Sequence, residues 1–173
     1  AEHSAGAVAV ITRTPEDYRP QLTRQEQDML RTICAAFPRT VLVLNTPGYM
    51  ELGEFAQLLP AIVFMGIAGQ EGGHALTDLL TGRVMPSGRL AHSWPVTLSQ
   101  FDEAAQALDR FIGYRWFDSF GRDMLYPFGY GLSYAKFTCE NLQLSAGSIA
   151  SGDSIDATVT VRNDSDILAA TPV

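Results

Sequence analysis

The residue types best suited to moving a proton cluster in one short stretch, Arg13-Thr14-Pro15-Glu16-Asp17-Tyr18-Arg19. Glu16 and Asp17 are adjacent carboxylates in a polar run with no helical or strand period. An acidic loop beside neutral polar groups suits general acid/base work on a polar substrate. Glu71 is a third carboxylate of this kind, and Asn45 a polar neighbour. Each carboxylate has an alternative role as a solvated loop residue or a helix cap. Glu71 falls in the first turn of a predicted helix, where the macrodipole favours an anion.

Other chemistries lack their residues. No serine has the Gly-x-Ser-x-Gly spacing of a nucleophile elbow. Gly66-x-x-Gly69-x-x-Gly72 misses the dinucleotide spacing and has no Walker lysine, so close strand–helix packing is expected there. Cys34 and Cys139 form no metal-ligand or redox pair and are expected to be two buried thiols. His3, His74 and His92 are scattered without a zinc-binding spacing, and no metal site is expected.

The elements that must position these carboxylates follow a clear order. Ala7 to Ile11, Thr40 to Leu44 and Ala61 to Met65 are short continuous apolar runs, the pattern of buried parallel strands. Between the first two, Thr23 and Glu26 form a capping box. Met29, Leu30, Ile33, Cys34 and Phe37 then recur at helical spacing until Pro38. Glu51 to Leu58 reads as a short helix, and a further helix is expected from Gln70 to Thr81, with Gly82 after it. The β-α-β-α-β-α order predicts an α/β fold with a partial parallel sheet. In such sheets ligands bind at the carboxyl ends of the strands. That edge carries the loops Thr12 to Tyr18, Asn45 to Met50 and Gly66 to Glu71.

Beyond Arg83 the pattern changes. More than half of the chain's aromatic residues (Phe 9, Trp 2, Tyr 6) fall in residues 111–137 without a period. Such a segment is expected to be irregular and to anchor onto another surface with its rings. Ile155, Ala157, Val159 and Val161 then alternate with polar residues, as in a half-buried antiparallel strand. A complete immunoglobulin-type sandwich needs about 100 residues, so this one is expected to be only begun.

Composition bounds the partners. The chain has 173 residues and a formal charge of −7, which argues against nucleic-acid backbone binding. The longest apolar stretch, Leu58 to Gly69, is interrupted by Pro60 and is shorter than the about 20 residues of a membrane span. No basic and apolar leader opens the sequence, and no disulfide pattern is visible, which weakly favours the cytoplasm.

Three blocks together carry a resemblance. They are Gly69-Gln70-Glu71-Gly72-Gly73-His74-Ala75-Leu76-Thr77-Asp78-Leu79-Leu80-Thr81-Gly82, Pro86-Ser87-Gly88-Arg89-Leu90 with Trp94-Pro95, and Phe111-Ile112-Gly113-Tyr114-Arg115-Trp116-Phe117-Asp118 leading to Tyr126-Pro127-Phe128-Gly129-Tyr130-Gly131-Leu132-Ser133-Tyr134. In this order they resemble the second domain of glycoside hydrolase family 3, of β-glucosidase type. The resemblance implies residues 1–136 as an α/β sandwich domain, incomplete at its start. It implies residues 137–173 as the start of a fibronectin type III-like domain. The reaction it implies is retaining hydrolysis of a β-linked glycoside without a cofactor. The nucleophile would lie on a TIM-type barrel that this chain lacks, so the chain alone is expected to be inactive. Many members carry Ser-Gly-Glu-Gly, one further residue, then Asp-Arg after the first strand. Glu16 stands at that Glu, as acid/base candidate, and Arg19 at that Arg. The flanking glycines are missing, and the loop is one residue shorter. Asp17 is the runner-up for acid/base. Arg19, Tyr114 and Trp116 are the candidate substrate contacts. For Tyr114 and Trp116 the favoured alternative is packing that pins this domain onto the barrel. Exposed strand edges offer a route to homo-oligomers. The alternative function is a non-catalytic carbohydrate-binding or interaction module of the same fold.

Overall fold

The computed structural model describes residues 4–101 and 111–173. Strands β1 (Ala7–Thr12), β2 (Thr40–Asn45) and β3 (Ala61–Phe64) form a parallel sheet in the order β1-β2-β3. The register pairs Ile11 with Leu44 and Leu44 with Phe64, so all three strands run out at one edge. β2 is flanked on both sides and buries Thr40, Leu42, Val43 and Leu44. β1 ends the described sheet. It buries Ala9 and Ile11, while Val8 and Val10 are each 52% exposed.

Helix α1 (Arg24–Ala36) joins β1 to β2. Its capping box is complete: the Glu26 N–H donates to Thr23 Oγ1, and Glu26 Oε2 accepts from the Thr23 N–H. The expected Glu51–Leu58 helix shrinks to α2 (Phe55–Leu58). Gly53, at φ +54°, cannot continue a right-handed helix. Glu51 is drawn elsewhere: its N–H donates to the Pro20 carbonyl at 2.6 Å, and Gln21 and Glu51 form a parallel bridge. Helix α3 (Gly72–Leu80) is shorter than expected at both ends. Its C-terminus is closed by Gly82 N–H to Leu79 and Arg83 N–H to Asp78, the Schellman pattern. Gly72 is the residue of the glycine run that close packing requires, because a Cβ there would lie 2.5 Å from the Ala68 Cβ.

The chain divides into two compact units within α3. One is drawn from Ala1–Ala75 and Leu90–Gly129, the other from Leu76–Arg89 and Tyr130–Val173. The first holds the sheet and a core of Ile11, Leu30, Leu42, Leu44, Met50, Leu52, Phe55 and Trp94. It also holds the short antiparallel pair β4 (Trp94–Pro95) and β5 (Met124–Tyr126).

The aromatic segment is more ordered than its lack of period predicts. It contains β5 and a helix, α4 (Tyr114–Phe120), bracketed by Gly113 and Gly121. The rings divide. Trp116 and Phe117 are buried by the chain's own residues, whereas Phe120 is 54% exposed and Phe128 and Tyr134 are also exposed. The expectation that these rings wait for other surfaces fails for Trp116 and Phe117.

The second unit holds the antiparallel hairpin β6 (Phe137–Leu144) and β7 (Ala157–Asn163). β7 begins two residues later than its alternation predicts, leaving Ile155 outside, and only Val159 is half-buried along it. Cys139 on β6 is exposed and Cys34 half-buried, so the expectation of two buried thiols is corrected. No layer among the described residues buries β6. Among those residues no helix is long and apolar enough to cross a membrane.

Candidate active site

The loop after β1 begins under restraint. The Arg13 N–H extends the sheet ladder to the Asn45 carbonyl at 3.0 Å. Its guanidinium then turns back to α1 and meets Glu26 in two parallel bonds of 2.8 and 2.7 Å. This pair, together with the Thr23 cap, holds the Glu26 carboxyl down at about 2. Glu26 is thereby committed as an anion to α1, and Arg13 is committed to Glu26 rather than free for a ligand.

Glu16 and Asp17 follow on an exposed turn, and the Asp17 N–H donates to Thr14 Oγ1 at 3.3 Å. Arg19 is exposed beyond them. Tyr18 behaves differently. It is half-buried, and its hydroxyl donates to the Tyr49 carbonyl in the loop after β2. Burial pushes the Tyr18 phenol up from its ordinary value. The loop after β3 joins the same edge, where the Ala68 N–H donates to Asn45 Oδ1 at 3.4 Å. The three predicted loops therefore do converge at the carboxyl edge. Glu71 is exposed, lies just before α3, and is paired with His74 Nδ1 of that helix at 2.6 Å.

Beside the carboxylate turn lies an apolar hollow of about 430 Å³, lined by Tyr18, Pro20, Tyr49, His92, Leu98 and Phe101 among others. Its floor is aromatic and edge-packed: Tyr49 meets Trp94 at 5.5 Å and Phe101 at 5.0 Å between ring centroids. His92 Nε2 accepts from Trp94 Nε1–H at 3.1 Å, and burial pushes the His92 imidazole down. Neither Tyr49 nor His92 was singled out in the sequence: Tyr49 lies in a short loop with no motif, and His92, though flanked by Leu90 and Trp94 of a motif block, has no metal-ligand spacing.

Tyr114 and Trp116 lie on α4. Tyr114 is 43% exposed, stacks on Phe128 at 5.1 Å, and lines an open hollow of about 710 Å³ with Arg115 and Asp118. Trp116 is only 5% exposed, with Phe117 edge-on at 5.0 Å and the Arg122 guanidinium 5.6 Å from its ring. Of the two rings, Tyr114 has the face that a planar or sugar ligand can reach. Among the described residues no cluster of His, Cys, Asp and Glu converges as a metal centre would require.

The comparisons with known proteins agree with this architecture. A family model, the glycosyl hydrolase family 3 C-terminal domain, matches residues 1–134. A β-glucosidase of Kluyveromyces marxianus is 33% identical over 162 residues, covering 88% of this chain and 19% of the relative. An exo-α-(1→6)-L-arabinopyranosidase of Bifidobacterium longum is 32% identical, covering 84% and 20%. The structure of β-glucosidase 3B from Thermotoga neapolitana in complex with glucose superposes with a TM-score of 0.80 at 28% identity, covering 94% of this chain and 26% of that one. The chain thus spans about a fifth of the length of the curated relatives it matches. By its matched sequence and its parallel-sheet fold, this chain belongs to glycosyl hydrolase family 3.

Proposed function

We propose that the chain supplies the acid/base part of a retaining β-glycosidase, a β-glucosidase in the simplest case. Glu16 is the acid/base, and Asp17 is the alternative on the same turn. Residues 1–136 are then the C-terminal α/β sandwich domain and residues 137–173 the start of a fibronectin type III-like domain. The partner is a TIM-type barrel carrying the nucleophile, and the substrate a β-linked saccharide or glycoside. Arg19 and Tyr114 are the substrate contacts proposed with it; Trp116, the third candidate, is 5% exposed and packs against Phe117 instead. The observation that carries this reading is the exposed turn of adjacent carboxylates at the carboxyl edge of the sheet. It sits in a chain similar throughout to named β-glucosidases.

Retaining hydrolysis needs two carboxyl groups about 5–5.5 Å apart, one as nucleophile and one as acid then base. An acid/base that protonates the leaving oxygen works at a pKa raised by burial. The exposure of Glu16 here fits a loop that is covered once the barrel closes over it.

The test uses the enzyme that contains this chain. Glu16→Ala slows substrates with poor leaving groups by roughly 10²–10⁴ and activated aryl glycosides far less. Azide restores the deglycosylation step. Asp17→Ala showing this pattern in place of Glu16→Ala transfers the role by one residue. A panel of aryl β-glucosides and α-L-arabinopyranosides assigns the sugar. The 173-residue chain alone shows no turnover.

A further inference from the structure

We propose that Tyr18 is a positioning residue that, with Arg13, clamps the carboxylate turn at both ends and leaves only Thr14–Asp17 between the clamps; this rests on the acid/base reading of that turn. At the leading end, Arg13 is held by the Asn45 carbonyl through its backbone and by Glu26 through its side chain. Its Nη2 also donates to the Gln21 carbonyl at 3.4 Å. At the trailing end, the Tyr18 hydroxyl is bonded to a carbonyl that belongs to a deeply buried residue. Tyr49 is 2% exposed and wedged between Trp94 and Phe101. Gly48 makes room for the contact, since a Cβ there would lie 3.2 Å from the Tyr18 hydroxyl oxygen.

Between the clamps the chain is stiff as well. Pro15 fixes its own φ. The Asp17 N–H closes the turn on Thr14 Oγ1. These two restraints reduce the backbone freedom of Glu16 and Asp17. A general acid must lie within about 2.6–3.2 Å of the oxygen it protonates, so a fixed backbone is worth rate rather than binding. The Tyr18 hydroxyl suits this role because the fold can spare it. A phenylalanine fills the same part of the hollow and loses only the bond to the Tyr49 carbonyl.

The experiment is Tyr18→Phe in the enzyme that contains this chain, read in two ways. The expected kinetic result is a fall of roughly tenfold to a hundredfold in kcat/KM for poor leaving groups, the size of effect a small misplacement produces. KM is unchanged, and activated aryl glycosides lose less than about twofold, because they need little protonation. The expected physical result is faster amide exchange within residues 14–17 than in the parent. Gly48→Ala, which crowds the same hydroxyl, moves both readouts in the same direction. If Tyr18→Phe leaves exchange and leaving-group dependence as in the parent while Glu16→Ala or Asp17→Ala is rescued by azide, the clamp is wrong and the acid/base reading stands. If exchange quickens but neither carboxylate variant is rescued by azide, the acid/base reading falls and takes the positioning role with it.

Discussion

β2, a nearly continuous apolar run, and β7, which alternates apolar and polar residues, end in opposite surroundings. β2 lies between two hydrogen-bonded neighbours and buries four of its residues almost completely. β7 has one partner strand and buries none. Burial is therefore set by how many layers and neighbours a strand meets, and alternation in sequence states only which face would be covered. The largest test of this contrast is a pair of truncations. Leu44→Ala in β2 should cost about 2–5 kcal/mol in urea unfolding, the price of a core cavity. Val161→Ala in β7 should cost less than about 1 kcal/mol. Equal losses would mean that β7 is covered in solution.

The next effect sharpens the contrast between a paired loop anchor and its exposed neighbours. Glu26→Gln removes the anion of both the capping box and the Arg13 pair, and should cost about 2 kcal/mol in thermal unfolding. Its pH signature follows from a carboxyl held at about 2 against an ordinary 4.5. The stabilisation is fully present above 4.5 and is lost as pH falls towards 2. Glu26→Gln should flatten that part of the stability curve; an unchanged slope would place the responsible carboxyl elsewhere. A smaller effect separates the aromatic floor from the hairpin. The His92 imidazole titrates below its ordinary 6.5, because it is half-buried against Phe64 and Trp94. The unfolded chain thus binds the proton more readily. Stability should decline as pH falls below 6.5, and protonated Nε2 would no longer accept from Trp94. His92→Phe should remove this slope; its persistence would place the responsible group elsewhere.

Much of the first unit was legible because its signals are local. Three apolar runs, a Thr-x-x-Glu cap and a helical stripe each need only neighbouring residues to be recognised. α2 was misjudged because the conformation of Gly53 and the pull of Pro20 on Glu51 depend on a contact between two loops. Burial of Trp116 beside an exposed Phe120 was equally hidden, since α4 is too short to show a period. At the candidate site, Glu16 was singled out by resemblance and not by spacing. The Arg13–Glu26 pair and the Tyr18–Tyr49 bond were invisible. One joins residues on different elements, and the other ends on a backbone carbonyl, which has no residue-type signature.

The bond from the Glu51 N–H to the Pro20 carbonyl has an evolutionary corollary. It stitches the two strand exits together past the edge of the sheet, so residues 13–20 form a closed excursion whose footing does not depend on its contour. Added residues that are themselves flexible cost folding little, since each doubling of a flexible loop adds only about 0.6 kcal/mol of closure entropy. Insertions and deletions there leave Leu44 and its neighbours untouched. A stretch one residue shorter than the motif it resembles is then no anomaly. On the proposed acid/base role, selection on its length would act through reach to the reacting oxygen more than through stability. On the same proposal, this excursion is where a lineage could change its leaving-group preference while keeping its core.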